Sequence, residues 1–181
     1  GVMHMVRKPT DPDISFAVEL DRHDVSFLVD DKYRPRWEIK NTPPATDIET
    51  MFATDIVVKL LARPSDRIQQ NADQFLIDAQ KALAGIVDVT HSNFLDLMIE
   101  MSSLGVNKGT GLAKLAASKG LKASDVAAVG DMPNDVPMIA WAGRGAAVEN
   151  AHDWVKAAAN EHVPSNDDHG VAIFIDRIIA S

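Results

Sequence analysis

The stretch that decides the fold of this chain covers residues 127–138 and reads Ala-Ala-Val-Gly-Asp-Met-Pro-Asn-Asp-Val-Pro-Met. Its apolar start predicts a short buried strand over residues 125–129, followed by a short helix over 134–141. Gly130 permits a tight turn at the strand end, and Asn134 is predicted to cap the helix. Ligands of open α/β sheets bind outside the carboxyl ends of strands, so the stretch predicts a binding crevice.

Polar side chains crowd this predicted strand end, among them two carboxylates and an amide. Such a concentration of negative charge lowers stability unless a cation is present. Asp131 projects from the strand end, and its hard carboxylate oxygen suits Mg²⁺. The alternative is that these residues only form a turn and a cap, as their types often do.

A lysine opens the helix that precedes this strand. Lys108 stands in the segment 105–112, Gly-Val-Asn-Lys-Gly-Thr-Gly-Leu, and a helix is predicted over 108–119. A lysine at a helix N-terminus opposes the macrodipole, so its position indicates an anion in the crevice. The alternative is a solvated surface lysine. The segment is not a P-loop, because the lysine precedes the glycines, and it lacks the third glycine of a dinucleotide fingerprint.

The two parts of the chain have different patterns. After residue 104, strands alternate with helices, which predicts parallel βαβ units. Before it, the order β-β-loop-β-α-β-β predicts a mostly antiparallel sheet with helices on one face. A helix is expected to begin at Ser65 or Asp66 and to end at Gly85. The strands predicted in this first part cover residues 14–20, 25–29, 55–63, 86–90 and 95–101. Residues 34–54 are predicted to form a loop with at most one helical turn. In the second part a strand is predicted over 145–148, and helices over 152–160 and 171–179.

Composition excludes several classes of function. The formal net charge is −8, which argues against a general nucleic-acid binder. The chain has no cysteine, so disulfides and thiolate metal sites are excluded. No apolar run reaches the roughly 18–20 residues of a membrane span. We expect a cytoplasmic protein that does not bind a membrane.

Lys108 in Gly-Val-Asn-Lys-Gly and the acidic string from Gly130 to Met138 together resemble the third and fourth motifs of the haloacid dehalogenase superfamily. The chain is most similar to the Cof-like branch, in which a type IIB cap is inserted before the lysine. The resemblance implies an α/β fold with part of a Rossmann-like core, which contains a parallel sheet, over residues 104–181. A separate α+β cap domain would cover residues 1–103.

The resemblance also implies an activity, that of a Mg²⁺-dependent phosphomonoester hydrolase with an aspartyl-phosphate mechanism. Its substrates would be small phosphorylated metabolites such as sugar phosphates. Lys108 would neutralise the nucleophile and the phosphoryl oxygens, and Asp131 would bind Mg²⁺. Asn134 and Asp135 would orient these groups or act as further ligands.

One required motif is missing from the sequence. The family needs Asp-x-Asp-Gly-Thr after an apolar strand, and the pair Asp11 and Asp13 has neither the strand nor the Gly-Thr. We therefore expect that this chain has no phosphatase activity by itself. An incomplete core sheet would expose an apolar edge, through which the chain could self-associate.

Other assignments depend on weaker signals. His91 and Asn93, on a predicted cap turn, and Asn166, in the last loop, are candidates for substrate contact; the alternative is that they are turn residues. The side chains of Tyr33, Arg34 and Trp37 either line a sugar-binding surface or pack the cap. A sugar-phosphate mutase and a non-catalytic binding or assembly module remain alternative functions.

Overall fold

The computed structural model of the chain describes residues 3, 13–21, 27–33, 48–65, 71–93 and 97–180. The chain divides into two compact units, Gly1–Gly105 and Val106–Ser181. At the division Gly105 has a φ angle of +77°, which glycine adopts without strain. Within the described residues, no helix combines the length and the apolarity that crossing a bilayer requires.

The first unit contains a five-stranded antiparallel sheet in the order β2-β1-β3-β5-β4. Strand β1 is buried along most of its length, as its place between two other strands requires. On one face, Ala17, Val29, Tyr33 and Leu61 form a small apolar cluster. The strands are β1 Ser15–Leu20, β2 Phe27–Val29, β3 Val57–Arg63, β4 Val87–Thr90 and β5 Ile99–Ser103.

Among the described residues of this unit, α1 Ile48–Thr54 and α2 Ala72–Ala82 accompany the sheet. Helix α2 begins at Asn71, whose side chain accepts a hydrogen bond from the backbone N–H of Gln74 at 2.7 Å. Its apolar face buries Phe75 and Leu76, and the helix contacts β4. The expected α+β layer is therefore present.

The second unit contains a parallel sheet in the order β6-β7-β8. Helices connect its strands, and a core of Ile139, Val148, Val155 and Phe174, with smaller alanines, fills the space between sheet and helices. The elements are α3 Lys108–Ser118, β6 Ala127–Gly130, α4 Val136–Trp141, β7 Arg144–Val148, α5 Asp153–Ala158, β8 Glu161–Val163 and α6 Gly170–Ile179. The predicted fold class, a parallel α/β sheet with a separate antiparallel α+β layer, is confirmed.

Several local predictions in the first unit are wrong. Residues 48–54, predicted as loop with at most one helical turn, form the seven-residue helix α1, while 34–47 lie outside the described residues. Helix α2 is capped by Asn71 rather than by Ser65 or Asp66, and its C-cap is Leu83, two residues before Gly85. Strand β5 begins at Ile99 instead of residue 95. Propensity is a weak guide to such boundaries, because caps and tertiary contacts decide them.

Two corrections apply to the second unit. Strand β8 was not predicted, since three residues are too few to show a periodicity. It is held beside β7 by Arg144, whose Nε donates to the Glu161 carboxylate at 2.6 Å. Asn134 does not cap α4: it lies within a single turn of 3₁₀ helix, Pro133–Asp135, that precedes the α-helix.

Candidate functional site

The candidate site begins where β6 ends, at Gly130. The chain then makes the 3₁₀ turn Pro133–Asp135 and enters α4. Proline at the start of this turn has the φ angle that a helical turn needs and lacks the N–H that would stay unpaired there. The local sequence therefore folds the acidic string back over the strand end from which it came.

Asp135 is the centre of this loop. It is only 5% exposed, and its Oδ2 accepts hydrogen bonds from the backbone N–H groups of Asp131 and Met132, each at 3.1 Å. Its Oδ1 accepts a hydrogen bond from Nζ of Lys108. Both carboxylate oxygens thus have partners inside the protein, and the residue ties the loop to α3.

Lys108 reaches Asp135 from the first turn of α3. The helix begins at Asn107 in a capping box, in which Asn107 Oδ1 accepts from the Thr110 N–H at 3.0 Å and Thr110 Oγ1 accepts from the Asn107 N–H at 3.1 Å. The side chain of Lys108 remains 48% exposed. A half-exposed ammonium group can still bind an anion from solvent.

Asp131 lies beside this ion pair and carries surplus negative charge. Partial loss of water contact raises the pKa of its carboxyl group, and the neighbouring Asp135 carboxylate raises this pKa further. Lys108 and a backbone hydrogen bond act in the opposite direction but do not offset the rise. A carboxylate that is destabilised in this way gains from a bound cation.

Asn134 contributes an acceptor that lacks a partner in the described part of the chain. Its Oδ1 is buried and accepts no hydrogen bond from any described residue, which is rare for a buried polar atom in a folded protein. A carboxylate oxygen and an amide oxygen are the hard ligands that Mg²⁺ takes. Asp131 and Asn134 therefore fit a magnesium ion, whereas both oxygens of Asp135 already accept protein hydrogen bonds.

The carboxyl ends of the other two strands contribute to the same edge of the sheet. Asn166, a predicted candidate, follows β8, and its backbone N–H donates to Asn150 Oδ1 at 3.1 Å. His152, after β7, donates its backbone N–H to the carbonyl of Asp131 at 2.8 Å. Sequence reasoning missed Asn150 and His152, although both follow an apolar strand and so carried the positional signal that identified Asp131.

The candidates in the first unit differ in burial. His91 is 1% exposed, and its Nε2 lies 3.4 Å from Asp73 Oδ1. Asn93 is half-buried. Tyr33 is buried, with the Arg63 guanidinium 5.0 Å from its ring centroid, so it packs the unit. Arg34 and Trp37 lie outside the described residues, and substrate contact by His91 or Asn93 stays a prediction.

A charged cluster in the first unit was not predicted. Glu100 is 7% exposed and accepts hydrogen bonds from Lys59 Nζ at 2.8 Å and from Ser92 Oγ at 2.5 Å. Burial lowers the pKa of Lys59, but the hydrogen bond to Glu100 and the charges of Glu100 and Glu19 together more than offset this, so the net shift of the pKa is upward. Two opposite charges inside otherwise apolar strands were the signal that could have revealed it.

Comparison with known sequences places these features in a family. The profile of the haloacid dehalogenase-like hydrolases matches residues 28–175. The phosphatase YwtE of Bacillus subtilis, a 5-amino-6-(5-phospho-D-ribitylamino)uracil phosphatase, is 34% identical over 140 residues, which are 76% of this chain and 46% of that protein. A phosphoglycolate phosphatase of Methanothrix thermoacetophila is 37% identical over 95 residues, 52% of this chain and 41% of that protein. The chain spans about half the length of these curated relatives.

Solved structures share the fold. SMU.1108c of Streptococcus mutans superposes with a TM-score of 0.73 at 20% identity, covering 99% of this chain and 66% of that one. The subclass IIB sugar phosphatase BT4131 superposes with a TM-score of 0.74 at 16% identity, covering 98% of this chain and 64% of that one. The resemblance inferred from the two motifs is confirmed. Because the family profile matches well over half of its residues, the chain belongs to the haloacid dehalogenase-like hydrolases.

Proposed function

We propose that this chain is part of a Mg²⁺-dependent phosphomonoester hydrolase that acts on small phosphorylated metabolites. One observation carries the proposal: the Lys108 ammonium meets the acidic loop of Asp131 and Asp135 at the carboxyl end of β6. A cationic side chain and a cation-binding carboxylate at one strand end suit a phosphoryl group, which needs both. In this proposal residues 1–103 are the cap and residues 104–181 belong to the core.

Each residue has a distinct task in this proposal. Lys108 binds the anionic substrate, while Asp135 holds the lysine in place. Asp131 and Asn134 hold Mg²⁺, which, when bound, supplies charge stabilisation to the phosphoryl oxygens. The backbone N–H groups of Asp131 and Met132 donate hydrogen bonds to Asp135, and these bonds keep the loop in the conformation that presents Asp131.

The names of the relatives support the substrate class. One relative is a phosphatase of a phosphoribitylamino compound, and another is a phosphoglycolate phosphatase. Both substrates are small phosphomonoesters with polar bodies. We propose sugar phosphates and related phosphorylated acids for this protein.

The nucleophile is the missing element of the mechanism. Residues 1–181 contain no Asp-x-Asp-Gly-Thr, so we propose that this chain by itself does not turn over phosphomonoesters. The test is release of inorganic phosphate from phosphoglycolate and from a panel of sugar phosphates, with Mg²⁺ present. The isolated chain is expected to release none, and turnover by it would refute this proposal.

A longer form that supplies an apolar strand ending in Asp-x-Asp-Gly-Thr tests the hydrolase assignment itself. It is expected to hydrolyse members of the panel and to lose that activity with Asp131→Ala. Asp176→Asn, an exposed change on α6, is the matched control and should leave turnover unaltered. Failure of the longer form on every phosphomonoester would contradict the assignment.

One observation favours a second candidate, an assembly module. Among the described residues, β6 pairs with β7 only, and Ala127 on β6 is exposed. A strand with an unpaired edge can pair with another chain. Concentration-dependent oligomers in sedimentation velocity, together with no effect of Mg²⁺ on the melting temperature, would favour this candidate over the hydrolase.

A further inference from the structure

The first turns of α3 and α4 approach each other more closely than side chains would allow. A Cβ atom added at Gly109 would lie 2.5 Å from the carbonyl oxygen of Pro137 and 2.6 Å from its carbonyl carbon. It would also lie 2.9 Å from the Cβ of Pro137. Two of these three atoms are backbone, so they cannot rotate away. The backbone of α3 therefore contacts the backbone of α4 at this point only because residue 109 has no side chain.

This contact lies beside the ion pair in the sequence of both helices. Lys108 directly precedes Gly109, and Asp135 lies two residues before Pro137. The Asn107–Thr110 capping box orders the first turn of α3 internally. The contact of Gly109 with Pro137 joins the helix that carries Lys108 to the helix that follows the acidic loop.

We propose that Gly109 is a positioning residue: its lack of a side chain lets the first turn of α3 rest on the Pro137 carbonyl, and this contact places Lys108 Nζ on the buried Asp135. Gly109 touches no reacting group and acts only through Lys108. The inference deepens the proposed function and rests on it only as far as catalysis is concerned, because the placement of Lys108 is a property of the fold.

The chain offers a matched control two residues away. Gly111 lies in the same helix, is exposed, and a Cβ added there would meet nothing within 4 Å. Gly111→Ala therefore adds the same methyl group to the same helix without touching α4, and it should stabilise α3 because alanine is the better helix former. Gly109→Ala must move α3 or α4 by about half an ångström or more, since Cβ contacts under 3.0 Å essentially never occur.

The deciding experiment is a double-mutant cycle on the full chain that combines Gly109→Ala with Lys108→Met, followed by urea unfolding. If Gly109 positions the lysine, Gly109→Ala lowers the folding equilibrium constant about tenfold in the wild-type background. In the Lys108→Met background the same substitution lowers it only about threefold. Equal losses in the two backgrounds would mean that Gly109 serves packing alone and would overturn the inference.

A spectroscopic readout accompanies the cycle. In ¹⁵N NMR, the Lys108 ammonium signal and its coupling to the Asp135 carboxyl carbon should be present in the wild type and in Gly111→Ala and lost in Gly109→Ala. Persistence of that coupling in Gly109→Ala would likewise refute the inference. Should Gly109→Ala fold poorly, the same measurements are made in the stabilised Gly111→Ala background. Neither readout uses phosphate or Mg²⁺, so a failure of the proposed function would leave this test intact.

Discussion

Each unit of the molecule contains a lysine paired with a buried carboxylate, and the two pairs differ in what surrounds them. In the first unit, Glu100 is satisfied by Lys59 and Ser92, and the residues lie on paired strands and the loop beside them. In the second, Asp135 is satisfied by Lys108 and two N–H groups, but Asp131 beside it keeps a raised pKa. Asn134, in the same loop, has an unpaired buried oxygen. The first pair is thus balanced by its neighbours, whereas the second has surplus acceptors, as the proposed Mg²⁺ site requires.

The largest expected effect is loss of the carboxylate of Asp135. Asp135→Ala leaves two backbone N–H groups and Lys108 without their acceptor, so it should lower the free energy of unfolding of the second unit by about 3 kcal/mol. Urea unfolding measures this. Glu100→Gln in the first unit is the comparison, because an amide can still accept from Lys59, and it should cost about 1 kcal/mol. A smaller loss for Asp135→Ala than for Glu100→Gln would reverse the comparison.

The second effect is stabilisation by Mg²⁺. A ligand at ten times its dissociation constant stabilises the state that binds it by about 1.4 kcal/mol, so the melting temperature of the second unit should rise by several degrees. Differential scanning calorimetry with and without Mg²⁺ measures the shift. Asp131→Asn should abolish it, and Glu100→Gln should leave it unchanged. An undiminished shift in Asp131→Asn would exclude Asp131 as a ligand.

The third effect is a pH dependence that arises at Asp131. Its pKa is raised in the folded state, so between its ordinary value of about 3.8 and the raised value the folded state binds more protons than the unfolded state. Stability from this group is therefore lost as the pH rises through that window. Without Mg²⁺, Asp131→Asn should show a flatter profile of melting temperature against pH and a higher melting temperature above the window. An identical profile in the variant would contradict the assigned origin of the shift.

The smallest effect on stability is expected at Asn134. Its Oδ1 is already unpaired, so Asn134→Ala forfeits no hydrogen bond from that oxygen and should change the free energy of unfolding by less than about 0.5 kcal/mol. The affinity for Mg²⁺, measured by calorimetric titration, should nevertheless fall about tenfold because a ligand is lost. Unchanged affinity would leave Asp131 as the only ligand of this loop.

The main elements of the site were predictable because the signals are local. Asp131 follows an apolar strand, and Lys108 opens the helix that precedes this strand. Chain order alone therefore places both residues at the carboxyl edge of a parallel sheet. The burial of Asp135 was not predictable in this way. Its buried position depends on bonds to Lys108, 27 residues away, and to the loop that it closes.

Boundaries were less predictable than the elements themselves. Helix α1 lies where three prolines and mixed polarity over residues 34–54 indicated a loop with at most one helical turn, and β8 is too short to show a pattern. Asn134 is of a residue type that often caps helices, but the 3₁₀ turn that begins at Pro133 moves the start of the helix to Val136.

The amino-acid sequence by itself determined the two kinds of sheet, the family and the pairing of a lysine with an acidic loop, since these follow from periodicity and from motifs read along the chain. Only the tertiary structure decided that the Asp135 carboxylate lies inside while Asp131 stays exposed. The same structure also showed that glycine at residue 109 lets two helices touch. The physical reason is that burial and close contact are properties of groups brought together by folding, and no single segment contains both partners.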